Sequence, residues 1–144
     1  MRLSQKCLYA LRAVLELAKR QQAAEPVSIA AIGQAQDIPN QFLQVIMREL
    51  RQGGFVESRR GKEGGYLLAR PAAELPVGDV VRFLEGEFVP RDDHDPAGDG
   101  VTAFTQLWQD VGSALDAVFD GVSFGDLMDR ERAQQAASVP NYVI

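Results

Sequence analysis

Residues 37–70, DIPNQFLQVIMRELRQGGFVESRRGKEGGYLLAR, change periodicity once, and that change decides the fold. Up to Leu50 the apolar residues recur at helical spacing, so Phe42, Leu43, Ile46, Met47 and Leu50 are expected to face inward. Gly53-Gly54 supplies the stop, because glycine is the residue best suited to end a helix. Beyond it, Phe55-Val56-Glu57-Ser58 and Tyr66-Leu67-Leu68 read as two short strands joined by a loop over 59–65. Before it, Asp37-Ile38-Pro39-Asn40 is a tight turn in which Pro39 suits the first position of the helix that follows.

Working outward, Cys7, Leu8, Leu11, Val14, Leu15 and Ala18 form one face of an amphipathic helix from Ser4 to Arg20, with Ser4 as its cap. Residues 21–26 break it. Ser28 caps a brief helix over 29–36, with Ile29, Ile32 and Ala35 inward. Two short helices joined by a tight turn and followed by a hairpin constitute a winged helix-turn-helix. On the other side, Val77, Val80, Val81 and Leu84 mark a helix over 76–85. Phe104, Leu107, Trp108, Val111, Leu115, Val118 and Phe119 mark a long one over 102–120. Ser123 caps a last short helix carrying Phe124, Leu127 and Met128, and residues beyond about 134 read as a weakly structured tail. The expected class is mainly α with a small β-hairpin. Its expected divisions are a winged helix-turn-helix over 1–85, an acidic loop over 86–100, a dimerisation helix with a short C-terminal helix over 101–134, and a tail over 135–144.

The chain of 144 residues, 46% hydrophobic and 24% charged, is long enough for one cored domain and has no apolar run suited to spanning a membrane. The N-terminus lacks the apolar stretch of a signal peptide, and the single cysteine excludes an intrachain disulfide, which fits a cytoplasmic protein. The net charge of −5 conceals two halves of opposite sign. Residues 1–70 hold eleven Lys and Arg against six acids, and residues 71–144 hold four against fourteen. The first half therefore suits a polyanion.

In a winged helix-turn-helix the second helix of the pair enters the major groove and presents side chains near its start. The outward residues there are Asn40, Gln41, Gln44 and Val45. Asn and Gln match the donor–acceptor edge of adenine, and Val45 suits a thymine methyl. Arg48 and Arg51 on the same helix suit phosphates, with Arg2, Lys6 and Arg12 as further candidates. The loop Arg59-Arg60-Gly61-Lys62-Glu63-Gly64-Gly65 places three bases at a glycine-rich tip able to approach a minor groove, whose narrow width attracts arginine. A plain solvated hairpin turn is the alternative reading of that loop, and Tyr66 reads as a packing residue. The long helix has a wide aromatic stripe that the N-terminal module covers only in part, so Phe104, Leu107, Trp108, Val111, Leu115, Val118 and Phe119 are the expected homodimer interface.

Several of these segments occur together and in order: Tyr9-Ala10-Leu11-Arg12-Ala13, Leu50-Arg51-Gln52-Gly53-Gly54-Phe55-Val56, Arg60-Gly61 through Gly64-Gly65-Tyr66-Leu67-Leu68-Ala69-Arg70-Pro71, Val77-Gly78-Asp79-Val80-Val81 and Leu107-Trp108. Over roughly residues 1–130 the chain resembles the Rrf2 family of bacterial regulators, which includes the iron–sulfur cluster regulator, the nitric-oxide-sensing repressor and the cysteine-metabolism repressor. The resemblance implies a homodimer on a pseudo-palindromic double-stranded operator. It also puts Arg60 at the family's wing arginine and Gln41, Phe42 and Gln44 in its recognition-helix segment. Lys62-Glu63 stands where the family usually has Pro-Gly. Many members hold a cluster through three cysteines before the long helix, whereas residues 87–100 here contain none.

The resulting expectation is a homodimeric, sequence-specific repressor without cofactor or metal. Asp92, Asp93, His94 and Asp95 offer donors for a divalent ion, but neighbours in sequence rarely converge on one site. Cys7 lies on an apolar face and reads as a small hydrophobe rather than a redox switch. Two competitors stay open: a protein-interaction module whose winged helix docks onto an enzyme, and a regulator controlled by a small-molecule effector or metal. An enzyme is not expected, since the one His and one Cys lie in different regions and no phosphate-binding glycine loop is present.

Overall fold

The structure, a computed structural model, describes residues 2–88 and 103–138. Helix α1 spans Gln5–Lys19, α2 Ile29–Gln36 and α3 Asn40–Gln52. Strands β1, Val56–Arg59, and β2, Gly65–Leu68, form an antiparallel hairpin. Then come α4, Val77–Glu85, α5, Ala103–Asp120, and α6, Phe124–Ser138. The expected winged helix-turn-helix and long helix are all present. The acidic loop, with Asp92, Asp93, His94 and Asp95, lies outside the described residues.

Local chemistry accounts for the element ends. The Ser4 side chain accepts from Cys7 N at 3.1 Å, and Ser28 accepts from Ala31 N at 3.1 Å, each satisfying an orphan helix donor. At the end of α3, Gly54 adopts φ 78°, Phe55 N donates to Leu50 O and Gly54 N to Arg51 O. That pair of bonds is a Schellman stop. Pro39 falls one position earlier than expected: it caps α3, and its carbonyl accepts from Phe42 N and Leu43 N. The hairpin registers Arg59 with Gly65, so its loop is 60–64, shorter than expected. Val27 adds a bridge to Tyr66, with reciprocal backbone bonds of 2.9 Å, and so ties the wing to the segment entering α2.

Three burial expectations change. On α1 the buried apolar set is Cys7, Ala10, Ala13, Val14, Leu17 and Ala18, while Leu8 is exposed and Leu11 and Leu15 are half-buried. Alanines carry this face because they let neighbouring helices approach, a role that counting large apolar residues overlooks. On α2 Ala35 is exposed and Gly33 is buried instead. On α3 Phe42 is 50% exposed: its ring leaves the core and packs on Tyr9, 5.9 Å between centroids.

The C-terminal part also differs. Helix α6 is 15 residues long and covers the start of the expected tail. Ser123 and Asp126 cap it reciprocally, Ser123 N to Asp126 Oδ2 at 2.9 Å and Asp126 N to Ser123 Oγ at 3.0 Å. Beyond Met128 its residues are polar or small, good helix formers with no apolar stripe, so periodicity did not reveal the extension. Phe124 is fully buried in the common core, and Lys19 of α1 meets Glu131 of α6 at 3.2 Å.

Glu16 is the buried charge of this core. Burial alone would raise its carboxyl pKa, but hydrogen bonds from Gln36 and Arg20, both 2.9 Å, and the charges of Lys19 and Arg20 hold it below the usual range.

A tight crossing positions α3. A Cβ added to Gly33 would stand 2.7 Å from both Ile38 O and Asn40 Oδ1, and one of those atoms belongs to the turn backbone. Gly33→Ala is therefore expected to lower unfolding free energy by about 1–2 kcal/mol in urea titrations. That is opposite in sign to the gain of about 1 kcal/mol usual for the same change inside a helix.

Candidate nucleic-acid interface

Helix α3 buries Leu43, Ile46, Met47 and Leu50 against the core. With about 100° between successive residues, the direction opposite that face is occupied by Gln41, Val45, Arg48 and Gln52. Gln44, Arg51 and Asn40 lie along one flank, and Phe42 and Glu49 along the other. Gln41, Gln44, Val45, Arg48 and Arg51 are all exposed. Asn40 is exposed too, but its amide oxygen lies over Gly33. It therefore stands at the crossing of α2 and α3.

The wing exposes Arg59, Arg60 and Lys62. Gly61 has φ 117°, a conformation a side chain would strain, and a Cβ on Gly64 would run into the backbone of Arg59. The turn thus depends on both glycines even with Lys62-Glu63 between them. Lys62 and Gly64 line a cleft of about 440 Å³ with Arg20, Val27 and Ser28, which places the tip beside the start of α2.

Not every candidate base is equally available. Lys6 pairs with Glu49 at 3.1 Å, and Arg59 pairs with Glu57 at 3.5 Å. The Arg12 guanidinium lies 5.7 Å from the centroid of the Tyr9 ring. Arg48, Arg51, Arg60 and Lys62 form no ion pair among the described residues, so phosphates would meet them without competition. Helical spacing puts Phe42 in the core and gives Tyr9 no role, whereas the two rings meet beside the outward face of α3.

The expected interface helix carries its stripe openly. On α5, Phe104 is 63% and Val118 67% exposed; Leu107 and Val111 are also exposed, and Trp108, Leu115 and Phe119 are half-buried. Gly112 is its one buried residue among those described. The helix is fastened to α4 by Arg82, whose guanidinium reaches Asp79 at 3.3 Å, Asp116 at 3.1 Å and Asp120.

A helix pair whose second member presents amides and arginines, followed by a hairpin with a basic tip, defines a winged-helix DNA-binding protein. The chain belongs to the Rrf2 family, whose model, described as an iron-dependent transcriptional regulator, matches residues 3–130. It is a DNA-binding transcriptional regulator of that family. It is 33% identical over 144 residues to the regulator IscR of Aliivibrio salmonicida, covering 98% of this chain and 85% of that protein. It is 31% identical over 140 residues to CymR of Bacillus subtilis, covering 95% and 96%. The solved structure of CymR, titled the global cysteine regulator of B. subtilis, superposes with a TM-score of 0.80 at 31% identity over 90% of this chain and 98% of that one. IscR of T. potens superposes with a TM-score of 0.77 at 29% identity, covering 99% and 95%. These relatives are regulators, not enzymes, and no described helix is long and apolar enough to cross a membrane.

The donor set does not fit a thiolate-held iron–sulfur cluster. The chain's one cysteine, Cys7, is buried in α1 beneath Ser4 and Glu85. Burial, and then the Glu85 carboxylate, push its thiol up to about 11. Among the described residues no three His, Cys, Asp or Glu are grouped to hold a metal ion. The state of Cys7 gives a direct test. At pH 8 its alkylation by iodoacetamide in the folded protein should run at least about 100-fold slower than in the denatured chain. Equal rates would show an accessible thiolate instead.

Proposed function

We propose that the protein is a homodimeric repressor that reads a pseudo-palindromic operator with Asn40, Gln41 and Gln44 in the major groove and Arg60 in the minor groove, without an iron–sulfur cluster. Arg48, Arg51, Arg59 and Lys62 hold the phosphates and set register. Residues 1–85 form the reader, and the exposed stripe of α5 forms the contact between copies. The observation that carries this reading is α3 itself. Its core side is buried while amides and unpaired arginines hold most of the outward side, directly before a hairpin that exposes Arg60.

Two physical points support the finer assignments. An apolar stripe as open as that of Phe104, Leu107, Val111 and Val118 is stabilised by a partner, and a two-fold copy doubles the number of half-sites engaged. Occupying an operator is enough to obstruct transcription, so repression requires no further surface. The missing thiolate ligands support regulation by something other than a cluster, and the signal is left to the second half of the chain or to a small molecule.

Arg60→Ala should weaken binding to DNA selected from a random pool by about tenfold or more, with the sedimentation coefficient unchanged. Val118→Glu with Leu107→Glu should give a monomer that keeps its helical circular dichroism. Unaltered affinity in the first variant would remove the wing from the interface. A wild-type monomer in sedimentation would remove the dimer.

A further inference from the structure

Beside α3 the reading face is not polar throughout. The side chains of Tyr9, Phe42, Val45 and Ile46, with Lys6 and Gln5 at the rim, enclose a hollow of about 280 Å³ whose walls are almost wholly apolar. Phe42 is 50% and Val45 48% exposed, so the hollow opens to solvent. Tyr9 backs it: its ring meets Phe42 at an interplanar angle of 55° and carries the Arg12 guanidinium beside it. Val45 lies between Gln41 and Arg48 on the outward face, and Phe42 closes the flank toward α1. Exposing a phenylalanine and a valine here costs hydration free energy that a polar pair would not, so an apolar occupant is indicated.

We infer that Phe42, Val45 and Tyr9 form a receptor for the 5-methyl group of thymine, making Phe42 and Val45 specificity-determining residues beside the amides. This rests on α3 lying in the major groove. Thymine is the base whose major-groove edge presents an apolar group. The setting favours DNA over a protein segment: Lys6 stands at the rim, Arg12 lies beside the Tyr9 ring, and Gln41 and Arg48 neighbour Val45 on the outward face of α3, so an apolar contact must be made by a ligand that is otherwise a hydrogen-bonding polyanion. The hollow is larger than one methyl group and has room for the adjoining base edge. The amides then select adenine at one step and the hollow selects thymine at a neighbouring one.

The test uses the full chain and duplexes it selects from a random pool. Thymines in the selected duplex are replaced one at a time by uracil, which removes the methyl and leaves every hydrogen-bonding group in place. At one or two positions in each half-site the wild-type Kd should rise about fourfold, the factor given by roughly 0.8 kcal/mol per buried carbon. In Phe42→Ala and Val45→Ala, thermal unfolding should stay cooperative, since both side chains are half out of the core. The same uracil replacements should then leave Kd unchanged. Phe42→Leu, which keeps apolar volume, should retain part of the sensitivity. If no uracil replacement weakens wild-type binding, or if both alanine variants keep the full effect, the receptor does not exist. Gln44→Ala separates the two failures. Weakened binding with no uracil effect leaves α3 as reader and removes the receptor, whereas unweakened binding removes α3 from the groove altogether.

Discussion

Close packing around α1 is the constraint on which the rest of the molecule depends. Cys7, Ala10, Ala13 and Ala18 present little more than a methyl or thiol to their surroundings, and all are buried. Small side chains allow α2, α3, α4 and α6 to lie against a single helix, with Val14 and Leu17 filling the space that remains. Because α3 is seated on α1 through Leu43, Ile46, Met47 and Leu50, its polar residues have nowhere to go but outward. The direction of that polar face is thus a consequence of the core. The wing inherits its place in the same way, through β2 and the Val27–Tyr66 bridge.

From α1 the same core reaches the other end of the chain. Phe124 N donates to Leu75 O at 3.0 Å and Val77 N to Val122 O at 2.9 Å, so the start of α6 is stitched to the start of α4. Arg82 gathers Asp79, Asp116 and Asp120 and binds α4 to α5. Three carboxylates around one guanidinium fix angle better than they add stability, since each is partly exposed and screened.

How far the sequence disclosed this varies with the kind of signal. The helix-turn-helix and hairpin were legible because glycines, a proline and a switch from helical to alternating spacing mark them, and the Schellman stop at Gly53-Gly54 fell where expected. The helix α5 was legible from its seven apolar residues. Burial on α1 was less so, since alanine counts for little in a hydrophobic pattern yet makes the tightest contacts. Phe42 was misassigned because helical spacing places it next to Leu43 and Ile46, and periodicity alone cannot tell a core phenylalanine from one tilted against Tyr9 at the rim. The length of α6 was hidden for the opposite reason, its later turns having no apolar stripe at all. Among the proposed site residues the exposed amides and arginines follow from α3's phase, whereas the ion pairs of Lys6 and Arg59 depend on partners that spacing does not identify.

Chemical footprinting of the full chain on a selected duplex tests the dimeric reading of both grooves most directly. Dimethyl sulfate reports guanine in the major groove and adenine in the minor groove, and hydroxyl radicals report the backbone. Two equivalent patches are expected, centred about 10–10.5 base pairs or a multiple of that apart, each with major-groove protection flanked by minor-groove protection. A single patch, or backbone protection with no signal from either groove, would contradict it.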